Sequence, residues 1–103
     1  MTIIVMGHIR AAPGEIDRLR DVLTEMVART NEEEGCDHYS FAQAVGDPDL
    51  LIISERWASA EALAAHGASA HMAAFNKAIG GAQIQDVSVN AWTAEHWRTL
   101  MGR

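Results

Sequence analysis

Runs of continuous or alternating apolar residues divide the chain into four predicted strands. Thr2 to Arg10 begins with a continuous, largely β-branched run, the pattern of a strand covered on both faces. Asp37 to Val45 alternates between two faces, and Leu50 to Trp57 follows the turn residues Gly46 to Asp49, so these two segments predict an antiparallel hairpin. Gln83 to Trp92 alternates again and predicts the fourth strand.

Apolar side chains at three- and four-residue steps predict helices between these strands. The longest such pattern predicts a helix that begins around Pro13 and ends near Glu34. Ser59 is a plausible N-cap for a short helix ending near His66, and Ser69 caps a second segment after the break. The side chains that share one face of that second segment are Met72, Phe75 and Ile79.

The predicted order βαββαβ is that of an α+β, ferredoxin-like sandwich, with two helices on one face of a four-stranded antiparallel sheet. The first and third strands are apolar at nearly every position, so the face away from the helices also needs cover. A second copy of the chain would supply it, and we expect a homodimer with the sheets face to face. The expected organisation is a single domain over 1–103, with a core at 2–92 and a C-terminal tail at 93–103 that docks through its apolar residues.

Composition excludes several classes of partner. The 103 residues are enough for one core, and eight basic against fourteen acidic side chains give a formal charge of −6. This charge argues against nucleic acid or an anionic membrane as a partner. The single cysteine, Cys36, excludes an internal disulfide, and the apolar start is too short for a signal peptide, so a cytoplasmic location is expected.

Two histidines at the predicted helix break are the leading candidates for chemistry. His66 and His71 are five residues apart, which on a continuous helix places them roughly 140° apart and disfavours a shared metal ion. No metal site is therefore predicted. Two interpretations stay open: hydrogen bonding at helix ends, or roles as proton acceptors and polar anchors in a ligand pocket.

Glu55 and Trp57 share one face of the third strand. The structural interpretation has Trp57 as an anchoring aromatic and Glu55 paired with a basic residue on a neighbouring strand, for which Arg10 is the candidate. The functional interpretation has Trp57 stacking on an aromatic substrate. The acidic run from Glu32 to Glu34 is interpreted as a solvated face.

Further pocket residues are expected from the second helical region and the sheet. Phe75 is a second aromatic wall and Met72 a packing wall. Tyr39 is either a core residue or a donor of its hydroxyl to a ligand, and Asn90 either lines a cavity or pairs across the dimer. No phosphate-binding loop, dinucleotide fingerprint, nucleophile elbow or zinc spacing is present, so no cofactor is expected.

The order of several short motifs resembles the antibiotic biosynthesis monooxygenase domain. The resemblance runs from about Thr2 to Trp92 and rests on Pro-Gly after the first strand, Glu-Glu-Gly-Cys before the second, Tyr-x-Phe within it, Ser-Glu-Arg-Trp-Ala-Ser, Ala-Ala-His, and Ser-Ala-His-Met-Ala-Ala-Phe. It implies a dimeric α+β barrel built from two ferredoxin-like chains.

The resemblance also implies a range of activities. Some members of the family are cofactor-free monooxygenases acting on phenolic polycyclic compounds or quinols, some degrade haem, and related proteins isomerise a signalling sugar. The positions that match the residues of the haem-degrading branch are occupied here by Gly7, His66 and Asn76, so haem degradation is not expected.

The resulting hypothesis is a cofactor-independent monooxygenase that oxidises a phenolic, quinol or polyketide-like aromatic substrate with O2. It assigns His66 and His71 as catalytic residues and places the pocket between helices and sheet, near the helix break. Alternatives are an isomerase or lyase acting on a small carbonyl metabolite, which needs no oxygen, and a non-catalytic ligand-binding dimer, which shows no turnover. The residues expected to contact substrate are Trp57, Met72, Phe75, Tyr39 and Asn90.

Overall fold

The computed structural model describes Met1–Arg103 and shows an α+β fold in which helices cover one face of a single antiparallel sheet. The strand order is β2-β3-β1-β4, which confirms the ferredoxin-like prediction. None of the helices is long and apolar enough to span a bilayer. The elements in chain order are β1 Thr2–Ala11, α1 Glu15–Arg18, α2 Arg20–Asn31, β2 Cys36–Ala44, β3 Asp47–Trp57, α3 Ala60–Gly67, α4 Ala70–Ile79 and β4 Ile84–Ala94.

The first helical region is two helices rather than the one predicted. The break lies at Leu19, whose N–H is shared between the carbonyls of Glu15 and Ile16 at 3.1 and 3.2 Å, as in a tightened helical turn. The side chain of Leu19 is buried with Ile16 and Leu23. The apolar pattern at three- and four-residue steps continues through Leu19, so it could not predict this interruption.

The hairpin between β2 and β3 is tighter than predicted. Its turn is at Val45 and Gly46, and β3 already begins at Asp47 instead of Leu50. Pro48, which lacks an N–H, is tolerated because the register shifts beside Gln43, whose side-chain amide donates to the Pro48 carbonyl at 3.0 Å.

The helix-covered face of the sheet holds the core. Trp57 at the end of β3 is 0% exposed and packs with Ile3, Val5, Met26 and Tyr39. A fully buried tryptophan of this kind typically contributes about 3–5 kcal/mol relative to alanine. The core therefore centres on the strand end that adjoins α3.

The opposite face of the sheet is open to solvent and apolar at its centre. Met6, Ile52 and Trp92 are 58%, 39% and 52% exposed. The strand register places these three side chains together. On β1, Ile4 and His8 lie on the same side as Met6. Their partners on the neighbouring strands are Trp92 for Ile4 and Ile52 for His8. The tail after β4 does not dock on its own chain, since Trp97, Leu100 and Met101 are all exposed.

Gly35 offers a test of how closely α3 approaches the start of β2. Gly35 has φ 81°, and a Cβ built there would lie 2.6 Å from the Cβ of Ala62. Gly14 has φ 80° and no atom within 4 Å of its would-be Cβ, so Gly14→Ala is a matched control for backbone strain alone.

We expect Gly35→Ala to lower the free energy of unfolding by about 1–3 kcal/mol more than Gly14→Ala, because it adds overpacking to the shared left-handed strain. Urea unfolding of both variants measures the difference. Equal losses in the two variants would show that α3 does not constrain this turn.

Candidate functional site

Two turns in the helical layer, one after α2 and one between α3 and α4, bring the side chains of the site together. After α2 the chain carries Glu33 and turns through Gly35 into β2. Opposite this turn, α3 ends at Gly67 and α4 begins after Ser69, whose hydroxyl accepts from the Met72 N–H at 3.2 Å and donates to the His66 carbonyl at 2.7 Å. The serine thereby holds the end of one helix against the start of the next.

One carboxylate oxygen joins the two histidines. Oε2 of Glu33 lies 2.6 Å from Nδ1 of His66 and 2.8 Å from Nε2 of His71. An ionised carboxylate only accepts, so both ring nitrogens donate an N–H to it. The opposite ring nitrogens, Nε2 of His66 and Nδ1 of His71, are then the acceptors of the neutral rings.

This arrangement depends on the helix break that the sequence predicted, and it corrects one expectation. The 140° separation of His66 and His71 holds only for a continuous helix, and the break between α3 and α4 allows both rings to reach the same oxygen. The acidic run at the end of α2 is not uniformly solvated, because the side chain of Glu33 is only 16% exposed. Glu33 is thus the residue that the sequence reasoning missed, and the only signal for it was an acidic group two positions before Gly35.

His66 lies against the aromatic core. It is 4% exposed, and its ring centroid is 4.9 Å from that of Trp57 and 5.4 Å from that of Tyr39. The His71 ring is 5.9 Å from the His66 ring and more exposed. The pair therefore runs from the core toward the surface, with Glu33 between them.

A second carboxylate, Glu55, is buried beside this group. Its Oε1 accepts from the Trp57 indole N–H at 2.8 Å, and the residue is 8% exposed. The expected pairing with Arg10 was wrong: Val5, not Arg10, is the β1 partner of Glu55, and Arg10 lies on the other face and donates to Asp47 at 2.8 Å.

Burial shapes the proton affinities around the site. It raises the pKa of Glu55 above its ordinary value, while the hydrogen bond from Trp57 and the nearby His66 oppose this and Glu33 adds to it. Burial also raises the pKa of the Tyr39 hydroxyl and of the Cys36 thiol, so neither is an activated nucleophile.

A groove between α2 and α4 leads to His71. It has a volume of about 650 Å³ and is walled by Met26 and Phe75, with Glu25 and Arg29 also in its lining. Small-molecule pockets usually have volumes of about 300–1,000 Å³, and this groove lies within that range. A smaller groove of about 240 Å³, lined by Ile16 and other residues of α1, α2 and the sheet, contains none of the titratable groups described above.

The structure brings most of the predicted site residues together, but only some of them line the groove. His71 and Phe75 line the groove, whereas Trp57 and Tyr39 are buried behind His66. Met72 packs against the same core. Asn90 lies apart, since it pairs with Met6 on the face away from the helices and donates to Ser88 at 3.3 Å.

A family model described as "Antibiotic biosynthesis monooxygenase" matches residues 2–78. The chain belongs to the antibiotic biosynthesis monooxygenase family. It is also similar to the protein named "Probable quinol monooxygenase YgiN" of Escherichia coli K12, with 32% identity over 89 residues, covering 75% of this chain and 84% of the relative.

Solved structures share the fold of this chain. A Deinococcus radiodurans protein superposes with a TM-score of 0.87 at 24% identity, covering 97% of this chain and 99% of the other. PA3566 from Pseudomonas aeruginosa has a TM-score of 0.81 at 26% identity, covering 91% of this chain and 94% of the other. The fold described above is therefore that of the antibiotic biosynthesis monooxygenase family.

The buried Glu55 gives a pH-dependent prediction. Its pKa is raised in the folded chain, so between its ordinary value near 4.5 and the raised value the folded chain binds more protons than the unfolded chain. Folding stability attributable to Glu55 is therefore lost as the pH rises through this interval. Glu55→Gln stays neutral and keeps an oxygen that can accept from Trp57.

We expect wild type to lose stability relative to Glu55→Gln as the pH rises above about 4.5. The loss should be about 1.4 kcal/mol for each unit by which folding raises the pKa of Glu55. Urea unfolding of both proteins from acid to neutral pH measures this. A difference that stays constant, or that decreases with pH, would contradict burial as the dominant effect on Glu55.

Proposed function

We propose that this chain is a cofactor-independent monooxygenase that oxidises a phenolic, quinol or polyketide-like aromatic substrate with O2. One observation carries the proposal: His71, hydrogen-bonded to the Glu33 carboxylate at 2.8 Å, lines a groove of about 650 Å³ together with Phe75. Family membership and the similarity to a protein named as a quinol monooxygenase support the same chemistry.

The reaction needs no external reductant. A phenol and O2 give a quinone and water, and a quinol and O2 give a hydroxyquinone and water. In both cases the substrate supplies all the electrons that O2 accepts. Removing the phenolic proton raises the electron density of the ring, so the protein's part is to accept that proton and to shield the reacting anion from water.

His71 is the proton acceptor in this proposal. Its Nε2–H donates to Glu33, which leaves Nδ1 free to take the phenolic proton. The Glu33 carboxylate then stabilises the imidazolium that forms, in the way that a buried acid supports a catalytic histidine. Phe75 provides an aromatic wall of the groove.

His66 has a supporting role in this arrangement. It is buried and donates to the same Glu33 oxygen at 2.6 Å, so it fixes the carboxylate from the core side. Trp57, Tyr39 and Met72 pack behind it and fix the position of the ring rather than line the groove. We assign no substrate contact to Asn90.

Oxygen consumption with a panel of quinols and phenols tests the proposal. We expect uptake above the buffer rate with at least one of these compounds and a loss of about 100-fold or more in His71→Ala. His96→Ala removes an exposed histidine beyond β4 and is the matched control. Uptake that matches the buffer rate throughout the panel, or that is unchanged in His71→Ala, contradicts the function.

We also propose that the functional unit is a homodimer formed by the sheet face opposite the helices. The exposed centre of this face, with Met6, Ile52 and Trp92, is an apolar surface that the helices of the same chain do not reach. A two-fold axis through the face would bury the same side chains of both copies.

A charge placed on this face should separate the copies. We expect wild type to sediment as a dimer and Trp92→Glu to shift toward monomer, because the carboxylate would be desolvated in the interface. Val45→Glu, at the exposed tip of the β2–β3 hairpin, is the control and should remain dimeric. Analytical ultracentrifugation distinguishes these states, and a monomeric wild type at tens of micromolar would disprove the interface.

A further inference from the structure

Three side chains of the site have the identity and placement of metal ligands. Glu33, His66 and His71 each offer one ligand atom, and these atoms all lie within 4.8 Å of one another. They come from three segments: the turn after α2, the last turn of α3 and the first turn of α4. No regular sequence spacing of known zinc motifs is involved.

We propose that Glu33, His66 and His71 form a binding site for a divalent transition-metal ion, with Zn²⁺ as the reference ion. Two imidazole nitrogens and one carboxylate oxygen are a donor set that suits Zn²⁺ and its first-row neighbours, whereas Mg²⁺ and Ca²⁺ prefer oxygen ligands. Three protein ligands leave at least one coordination position for water or another small ligand.

The distances require only a small adjustment. Metal–ligand bonds of about 2.0–2.2 Å place tetrahedral donor atoms about 3.3 Å apart. The two nitrogen–oxygen distances to Glu33 are 2.6 and 2.8 Å, so binding needs the carboxylate to withdraw by less than about 1 Å and the His66 and His71 nitrogens to converge. The proton that each neutral ring now donates to Glu33 moves to the opposite ring nitrogen, Nε2 of His66 and Nδ1 of His71, so that the metal-binding nitrogens are free.

The proposed metal site is shielded from solvent except along the groove that reaches His71. The side chains of His66, Glu33 and His71 are 5%, 16% and 24% exposed, so the ion would be largely screened from solvent. Glu55 lies outside the ligand set but near it, since it accepts from the Trp57 indole N–H at 2.8 Å and the Trp57 ring is 4.9 Å from the His66 ring. His71 also lines the groove, so the ion would be accessible from solvent through it.

Metal binding and the proposed oxidation use different nitrogens of His71. The ion would take Nε2 and remove the N–H bond to Glu33 that orients the ring for proton transfer. Zn²⁺ should therefore inhibit the oxidation. This consequence rests on the proposed function, whereas the binding itself does not.

Calorimetric titration of chelator-treated protein with ZnCl₂ tests the proposal, and titration with CoCl₂ followed by visible absorption gives a second signal from the ligand field. We expect one ion per chain, with the dissociation constant raised about 100-fold in His71→Ala and about 10-fold or more in Glu33→Gln. Circular dichroism verifies that both variants are folded. His96→Ala is the control, since it removes an exposed histidine beyond β4 and should leave the titration unchanged.

Two results would overturn the site: no heat or absorption change at millimolar metal, or binding that is equally strong in both ligand variants. Oxygen uptake of the chelator-treated protein is measured separately. Metal binding without any oxygen uptake would contradict only the proposed function. Oxygen uptake without metal binding would contradict only the metal site.

Discussion

The Glu33 carboxylate is the contact on which the arrangement of the helical layer depends. Its single oxygen meets a nitrogen from α3 and a nitrogen from α4 at 2.6 and 2.8 Å, and it belongs to neither helix. Without it, two donors in a largely buried environment would lack a partner, which typically costs about 1–3 kcal/mol for each group. The same bond system selects the tautomers of both rings, so packing and chemistry share one set of atoms.

This contact is possible because the backbone breaks where helical order would have separated the groups. The chain turns at the left-handed Gly35 just after Glu33, and Ser69 caps α4 so that His71, in the first turn of α4, reaches the same Glu33 oxygen as His66. Around it, Trp57 and Glu55 on β3 form the rigid floor. The sheet supports the site from below, whereas the positions of Glu33 and the two histidines are determined by the turns that carry them.

Patterns with a fixed period were readable from the sequence, whereas contacts across breaks were not. Alternation predicted two faces for β2, and Glu55 and Trp57 were expected to share one face of β3; in the structure Tyr39, Glu55 and Trp57 are all buried. The same logic could not foresee Leu19 interrupting the first helical region or Glu33 serving two histidines, because both depend on tertiary packing. Asn90 was expected in the pocket because it is a polar residue in an apolar strand. Its pairing with Met6 of β1 places it instead on the face of the sheet away from the helices.

The helix that carries His71, α4, is weakly anchored to the rest of the chain. α4 contains no buried residue, while the sheet beneath it carries most of the core. Regions with few buried side chains open locally at lower free energy than the whole chain. Fluctuations that detach α4 would carry His71 away from Glu33 while the sheet stays paired. Hydrogen exchange in α4 would then report how often the site is dismantled, separately from global unfolding.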